Sequence, residues 1–149
     1  MAGEEVRDRI ASRVVLVPGS ECRWSLSAIS GRGHGRLWVG EDRMVIAHWF
    51  VLALVRGVDA LEAALLLGHR CDNPLCQWIG DGHVEVSSAR KSRLERVHRR
   101  YLAESLLLDP RGARARAEVL RSLARRSPWW ARAEIERVRA SLPEQLTLW

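Results

Sequence analysis

The sequence predicts an α+β fold: small β-hairpins, then a metal-clamped strand–loop–strand–helix unit, then a helical C-terminal region. Three observations point there. Short apolar runs broken by glycines fill residues 25–47, which is hairpin rather than helix patterning. His69, Cys71, Asn73, Cys76 and His83 crowd into 15 residues, a density that reads as a metal site before a disulfide framework. Near the end, Ala131, Ile135, Val138 and Leu142 recur at i, i+4, i+7 and i+11, the spacing of one helix face. The chain divides on this reading into residues 1–108, the clamped domain, and 109–149, a helical extension.

Taken in order, Glu4 to Arg13 suits a short helix, with acids in its first turn and Val6 and Ile10 on one face. Val14–Val17 reads as a strand stopped by Pro18-Gly19. Leu37–Val39 and Met44–Ile46 are paired strands around the turn Gly40-Glu41-Asp42. Ala47 to Arg56 is helical, and Gly57 ends it. Residues 59–64 suit one helical turn. Leu65–Leu67 begins a strand that delivers His69 at its end; residues 70–82 form a loop, and Val84–Val86 returns. Ser87 or Ser88 caps the next helix, expected to reach Leu107 with Leu94, Val97 and Tyr101 facing inward. Asp109-Pro110 and Ser127-Pro128 each start a helix, and Pro143 ends the last. Val119, Leu120 and Leu123 give the first of these a buried edge. Trp129 and Trp130 are expected to be packing residues. The apolar end of the tail, residues 144–149, is expected on the core or on a second copy, as in a homodimer.

The net charge is +6, and Lys91 is the only lysine, so the positive charge is almost all arginine. Such a balance suits a polyanion, chiefly nucleic acid, and arginine's planar fork suits phosphate and guanine. Arg32, Arg36 and Arg43 stud the hairpins, and Arg90, Lys91 and Arg93 open the basic helix. These six are the candidate contacts to double-stranded DNA. The apolar runs at 44–55 and 63–67 are too short to span a membrane, so no membrane partner is expected. No charged-then-apolar leader is visible, and a cytoplasmic location in a prokaryotic or phage-infected cell is expected.

Cys71 and Cys76 can clamp one ion from two sides of the loop, with Cys22 upstream and His83 closing a tetrahedron. Three thiolates and one imidazole are a normal closed set for structural zinc. His69 is then left free of the metal and can serve as a general base at neutral pH. Asn73, before Pro74, shapes the loop by side-chain-to-backbone bonds.

His69-x-Cys71-x-Asn73-Pro74-x-Cys76, then His83, then a helix, resembles the HNH nucleases of the His-Me finger (ββα-metal) class. The likeness is to the zinc-containing branch that includes homing endonucleases. Cys22-Arg23-Trp24 is similar to the family's Cys-Trp-x-Trp, Gly33-His34-Gly35-Arg36 to its Gly-Tyr-Gly-Arg, and Ala47-His48 to its Ala-His-Arg. The resemblance covers about residues 21–95. It implies a ββα-metal unit and a DNA endonuclease or nickase, with His69 as base and Arg36 and His48 near the scissile phosphate. It also implies a catalytic Mg or Mn ion besides the zinc. Two departures stand out. The loop to His83 is two residues longer, which makes Asp81 an alternative fourth zinc donor. Ser92 occupies the position where the family holds its catalytic cation with Asn or His, so Ser92 and Glu95 are the candidate ligands here. The alternative function is a zinc-stabilised DNA-binding protein on the same fold that has lost cutting.

Overall fold

A computed structural model describes residues 2–102 and 105–142 of the 149. The fold is α+β, with three small antiparallel sheets, and its elements follow chain order. Helix α1 (Ala2–Ala11) is followed by β1 (Val14–Leu16) and β2 (Arg23–Ser25), which pair with each other. Strands β3 (Ala28–Ile29), β4 (Gly35–Gly40) and β5 (Arg43–Ile46) form a second sheet. Helices α2 (Ala47–Arg56) and α3 (Val58–Ala63) lead to β6 (Leu66–His69) and β7 (Val84–Ser87), a hairpin closed by the long loop. Helix α4 (Ala89–Arg100), a short 3-10 turn (Leu106–Leu108), α5 (Gly112–Arg126) and α6 (Pro128–Ser141) complete the described chain.

Local chemistry explains several of these elements. Between β4 and β5, Glu41 and Asp42 both take positive φ (47° and 56°), the conformation that matches a two-residue turn to strand twist. The Ser88 hydroxyl accepts the Lys91 N–H at 3.2 Å and caps α4. Pro128 occupies the first turn of α6, where its missing N–H costs nothing. Pro143 and the apolar tail lie outside the described residues.

The main core gathers Val17, Trp24, Leu52, Leu75 and Val84. Ala117, Leu120 and Ala124 of α5 and Ala131 of α6 join the same cluster. Helix α5 is also stitched to the segment before β3, where Arg121 donates to the Ser27 carbonyl at 2.8 Å and Arg125 Nε to the Leu26 carbonyl at 3.1 Å. A smaller cluster of Val6, Leu37 and Ala47 seats α1 against the second sheet. No described helix is long and apolar enough to cross a membrane.

Three local expectations are corrected. Helix α4 stops at Arg100, and Leu94, Val97 and Tyr101 are 60%, 52% and 68% exposed. The half-buried face is instead Ser92, Glu95 and Arg99, also at i, i+3, i+7, because ion pairs rather than apolar contacts attach this helix. Helix α5 begins at Gly112, two residues past Pro110. The Asp109 carboxylate is taken up by the backbone N–H and guanidinium of Arg111 and caps no helix. Trp129 and Trp130 are exposed and lie under guanidinium groups, Arg132 at 5.9 Å and Arg126 at 4.3 Å from the ring centroids.

Candidate metal centre and active site

Cys22 precedes Cys71 by 49 positions in sequence, and backbone pairing closes that gap. Strand β2 zips onto the loop: Ser25 N–H donates to Leu75 at 2.8 Å, Gln77 N–H donates to Arg23 at 2.8 Å, and Trp24 faces Cys76. The loop's own shape comes from Asn73, whose side-chain oxygen accepts the Leu75 N–H at 3.1 Å. Its carbonyl accepts the Cys76 N–H at 3.0 Å. Asp72 before it takes a left-handed φ of 54°.

The result is a cluster of Cys22, Cys71, Cys76 and His83 with one donor atom from each, all within 4.8 Å of one another. His83 Nδ1 lies 3.4 Å from Cys22 Sγ and 3.7 Å from Cys76 Sγ. A sulfur at ~2.3 Å and a nitrogen at ~2.1 Å from a tetrahedral ion stand about 3.6 Å apart, so the spacing fits. The chemistry of the donors points the same way. Hydrogen bonds from Cys71 and Cys76 hold the Cys22 thiol far down, at about 2, while those contacts hold Cys71 up and push Cys76 to about 12. Three thiols and one imidazole are donor types that suit zinc. This set could hold a metal ion such as zinc. The far nitrogen of His83, Nε2, lies 3.6 Å from a Glu21 carboxylate oxygen. That carboxylate is almost fully exposed and too far for a hydrogen bond, so it gives the ring no fixed outer partner. Asp81 is exposed and not part of the cluster.

His69 ends β6 beside this centre. Its Nε2 donates to the Cys76 carbonyl oxygen at 3.1 Å, since a carbonyl can only accept. The neutral ring therefore keeps its lone pair on Nδ1, which has no hydrogen-bond partner among the described residues. Two more imidazoles surround it. His34 stacks on His69 at 5.0 Å between centroids, and His48, 3% exposed, meets it edge-on at 4.7 Å. Burial, helped by neighbouring imidazoles, holds His69 down at about 4 and His48 at about 2. Both are uncharged at neutral pH. His48 thus sits behind the His69 ring, and His34 belongs to the same group.

A cleft of about 490 Å³ opens over His69. Its charged lining includes Arg32, Arg96, Arg99, Arg114 and Arg116, and one carboxylate, Asp72. Arg99 is the organiser. Its Nε reaches both Asp72 oxygens at 3.0 and 3.1 Å, and Nη2 donates to the His69 carbonyl at 3.3 Å. Arg116, 3% exposed, donates to the carbonyls of Asp72, at 3.1 Å, and Leu106. In sequence, Arg99 carries a signal in its i, i+4 partner Glu95, whereas Arg116 carries none.

The remaining candidates scatter. Ser92 lines the cleft beside His69. Glu95 is drawn to Arg70, Lys91 and Arg99 at 3.6, 3.8 and 3.7 Å. A carboxylate shared by three cations and a lone hydroxyl do not fit a dedicated Mg or Mn site, which wants free carboxylates and water. Arg36 is exposed on β4 and absent from the cleft lining, and Arg43 is exposed and pairs with Glu41 at 3.4 Å. Arg90, Lys91 and Arg93 are exposed on the first turns of α4. Searches of protein-family models, curated proteins and solved structures find no match to this chain.

Proposed function

We propose that the chain is an HNH-type DNA endonuclease or nickase, built on a zinc-clamped ββα unit, with His69 as its general base. One observation carries the reading: the His69 ring is tied through Nε2 to the carbonyl of a metal-site cysteine, with Nδ1 unpartnered and a basic cleft above. The zinc would be held by Cys22, Cys71, Cys76 and His83 and would supply rigidity, not chemistry. Nδ1 takes a proton from water. The resulting hydroxide attacks phosphorus, the bond to the 3′ oxygen breaks, and that oxygen takes a proton from solvent, leaving a 5′ phosphate. Arginine guanidinium groups in the cleft balance charge that gathers on the phosphate oxygens. Burial keeps His69 unprotonated at neutral pH, as a base must be. Double-stranded DNA would dock on the exposed arginines of α4 and the hairpins.

A second reading, a DNA-binding protein that no longer cuts, is favoured by the engagement of Glu95 with three cations and by Ser92 at the family's ligand position. Supercoiled plasmid incubated with the protein and Mg²⁺ or Mn²⁺ separates the two. Nicked circles are expected, lost in His69→Ala with metal content unchanged. Retained DNA binding without nicking under either ion would overturn the nuclease in favour of the binder.

A further inference from the structure

The place that the HNH resemblance gives to a catalytic Mg or Mn ion lies between α4 and the end of β6. Ser92 stands there. Its hydroxyl oxygen is 3.5 Å from where a Cβ on Gly68, the residue before His69, would lie. Three carboxylates border this place, and each is already taken. Asp72 shares the Arg99 Nε–H between its two oxygens. Glu85 accepts the Gly82 N–H at 2.7 Å and pairs with Arg70 at 3.2 Å. Glu95 faces Arg70, Lys91 and Arg99. A divalent ion wants carboxylates and water. Here it would have to displace guanidinium groups to gain its first carboxylate. It would also sit beside a cleft lined by five arginines and one acid, where like charge repels it.

Charge that gathers on a phosphate still needs a counter-charge, and the arginines differ in what already holds them. Arg99 is bound by Asp72 and the His69 carbonyl. Arg116 is bound by the carbonyls of Asp72 and Leu106. Arg114 pairs with Glu118 at 2.9 Å. The side chains of Arg32 and Arg96 make no ion pair or hydrogen bond among the described residues. Arg32 lies on a loop between Gly31 and Gly33. Arg96 lies on α4, the helix that Arg99 ties to the carbonyl of His69 itself. It follows Ser92 by four residues, so the two share one face of that helix. A group on a rigid element is placed more precisely than one on a loop. Arg96 is therefore the cation with a fixed base beside His69 and a head free to meet an anion.

We infer that Arg96 stands in for the divalent ion. Its guanidinium donates to a non-bridging oxygen of the scissile phosphate and to the leaving 3′ oxygen, and nicking runs without Mg or Mn. This rests on the nuclease reading and adds a catalytic residue to it. The reaction still balances as water adding across the bond from phosphorus to the 3′ oxygen. Its proton goes to His69 Nδ1, and the 3′ oxygen takes one from solvent. The test uses the zinc-loaded full chain and supercoiled plasmid, in buffer that a chelating resin has stripped of free divalent ions beforehand. Zinc content is measured before and after, so that the structural ion is known to stay. Nicking is expected at the same rate with and without added Mg²⁺. Arg96→Gln should slow single-turnover nicking by about 100-fold, with zinc content unchanged and duplex affinity lowered far less. Nicking that appears only when Mg²⁺ or Mn²⁺ is added overturns the inference and leaves the nuclease reading standing. So does a loss of nicking in Arg96→Gln that only matches its loss of affinity, since Arg96 would then be a docking contact. No nicking under any of these conditions overturns both.

Discussion

The imidazole of His69 and the carbonyl oxygen of Cys76 are joined by a 3.1 Å hydrogen bond. The residue that offers a sulfur to the metal centre therefore orients a ring outside that centre. The Cys/His cluster and the His69 ring are one mechanical unit, so loosening the loop should release the ring.

Metal analysis should find one zinc per chain, and none in Cys71→Ser or His83→Ala. Structural zinc contributes roughly 10–16 kcal/mol in small finger peptides. Chelation should accordingly abolish the cooperative thermal transition, and a melt unchanged by chelator would rule out a structural role. Glu21→Ala should leave both the fold and the zinc content unchanged, since the Glu21 carboxylate is exposed and lies 3.6 Å from His83 Nε2, beyond hydrogen-bond reach.

Arg99→Met should cost about 2–4 kcal/mol in urea unfolding. It leaves Asp72, whose side chain is 14% exposed, without the Nε–H that its two oxygens share and frees the His69 carbonyl. Zinc content should be unchanged. A loss below 0.5 kcal/mol would mean that the ion pairs do not attach α4.

Gly35→Ala tests the close approach of β4 to the Ser25 side chain. The new methyl would sit 2.4 Å from Ser25 Oγ, on a residue with no exposed surface. Overpacking of this kind costs about 1–3 kcal/mol. Gly31→Ala, with nothing within 4 Å, serves as the control and should be near neutral.

Acid should weaken the junction between the 3-10 turn and α6. Arg111 holds the Asp109 carboxyl below its usual 3.8, and Arg137, with Arg111, lowers Glu134 below 4.5. Groups depressed in the folded state stabilise it above their unfolded values, and that contribution fades as pH falls through the folded ones. Stability should therefore decline from about pH 4.5 downward. Asp109→Asn should cost about 2 kcal/mol at pH 7 and flatten that decline. An acid limb of equal steepness in the variant would refute the assignment.

Much of the site was legible in the sequence because its signals are local. Cys71, Cys76 and His83 announce themselves by spacing, and Asn73 and Ser88 by turn and cap chemistry that acts within three residues. The inward face of α4 was misread for a physical reason. Leu94, Val97 and Tyr101 satisfy apolar periodicity, but what they would face is a polar hairpin end carrying Arg70, Asp72 and Glu85. Ion pairs turned the helix by the side that periodicity does not score.

By itself, then, the sequence determined the α+β class, three of the four candidate metal donors, and most strands and helices, since spacing, periodicity and turn residues encode these within a few positions. Only tertiary structure decided the rest. Pairing of β2 with the loop carried Cys22 to its partners. Packing of α5 on the core brought Ala113, Arg114 and Arg116 to the cleft over His69. Three histidines from separate segments became one group of touching rings. Such contacts depend on how distant surfaces fit once water is expelled, and no short window of residues carries that information.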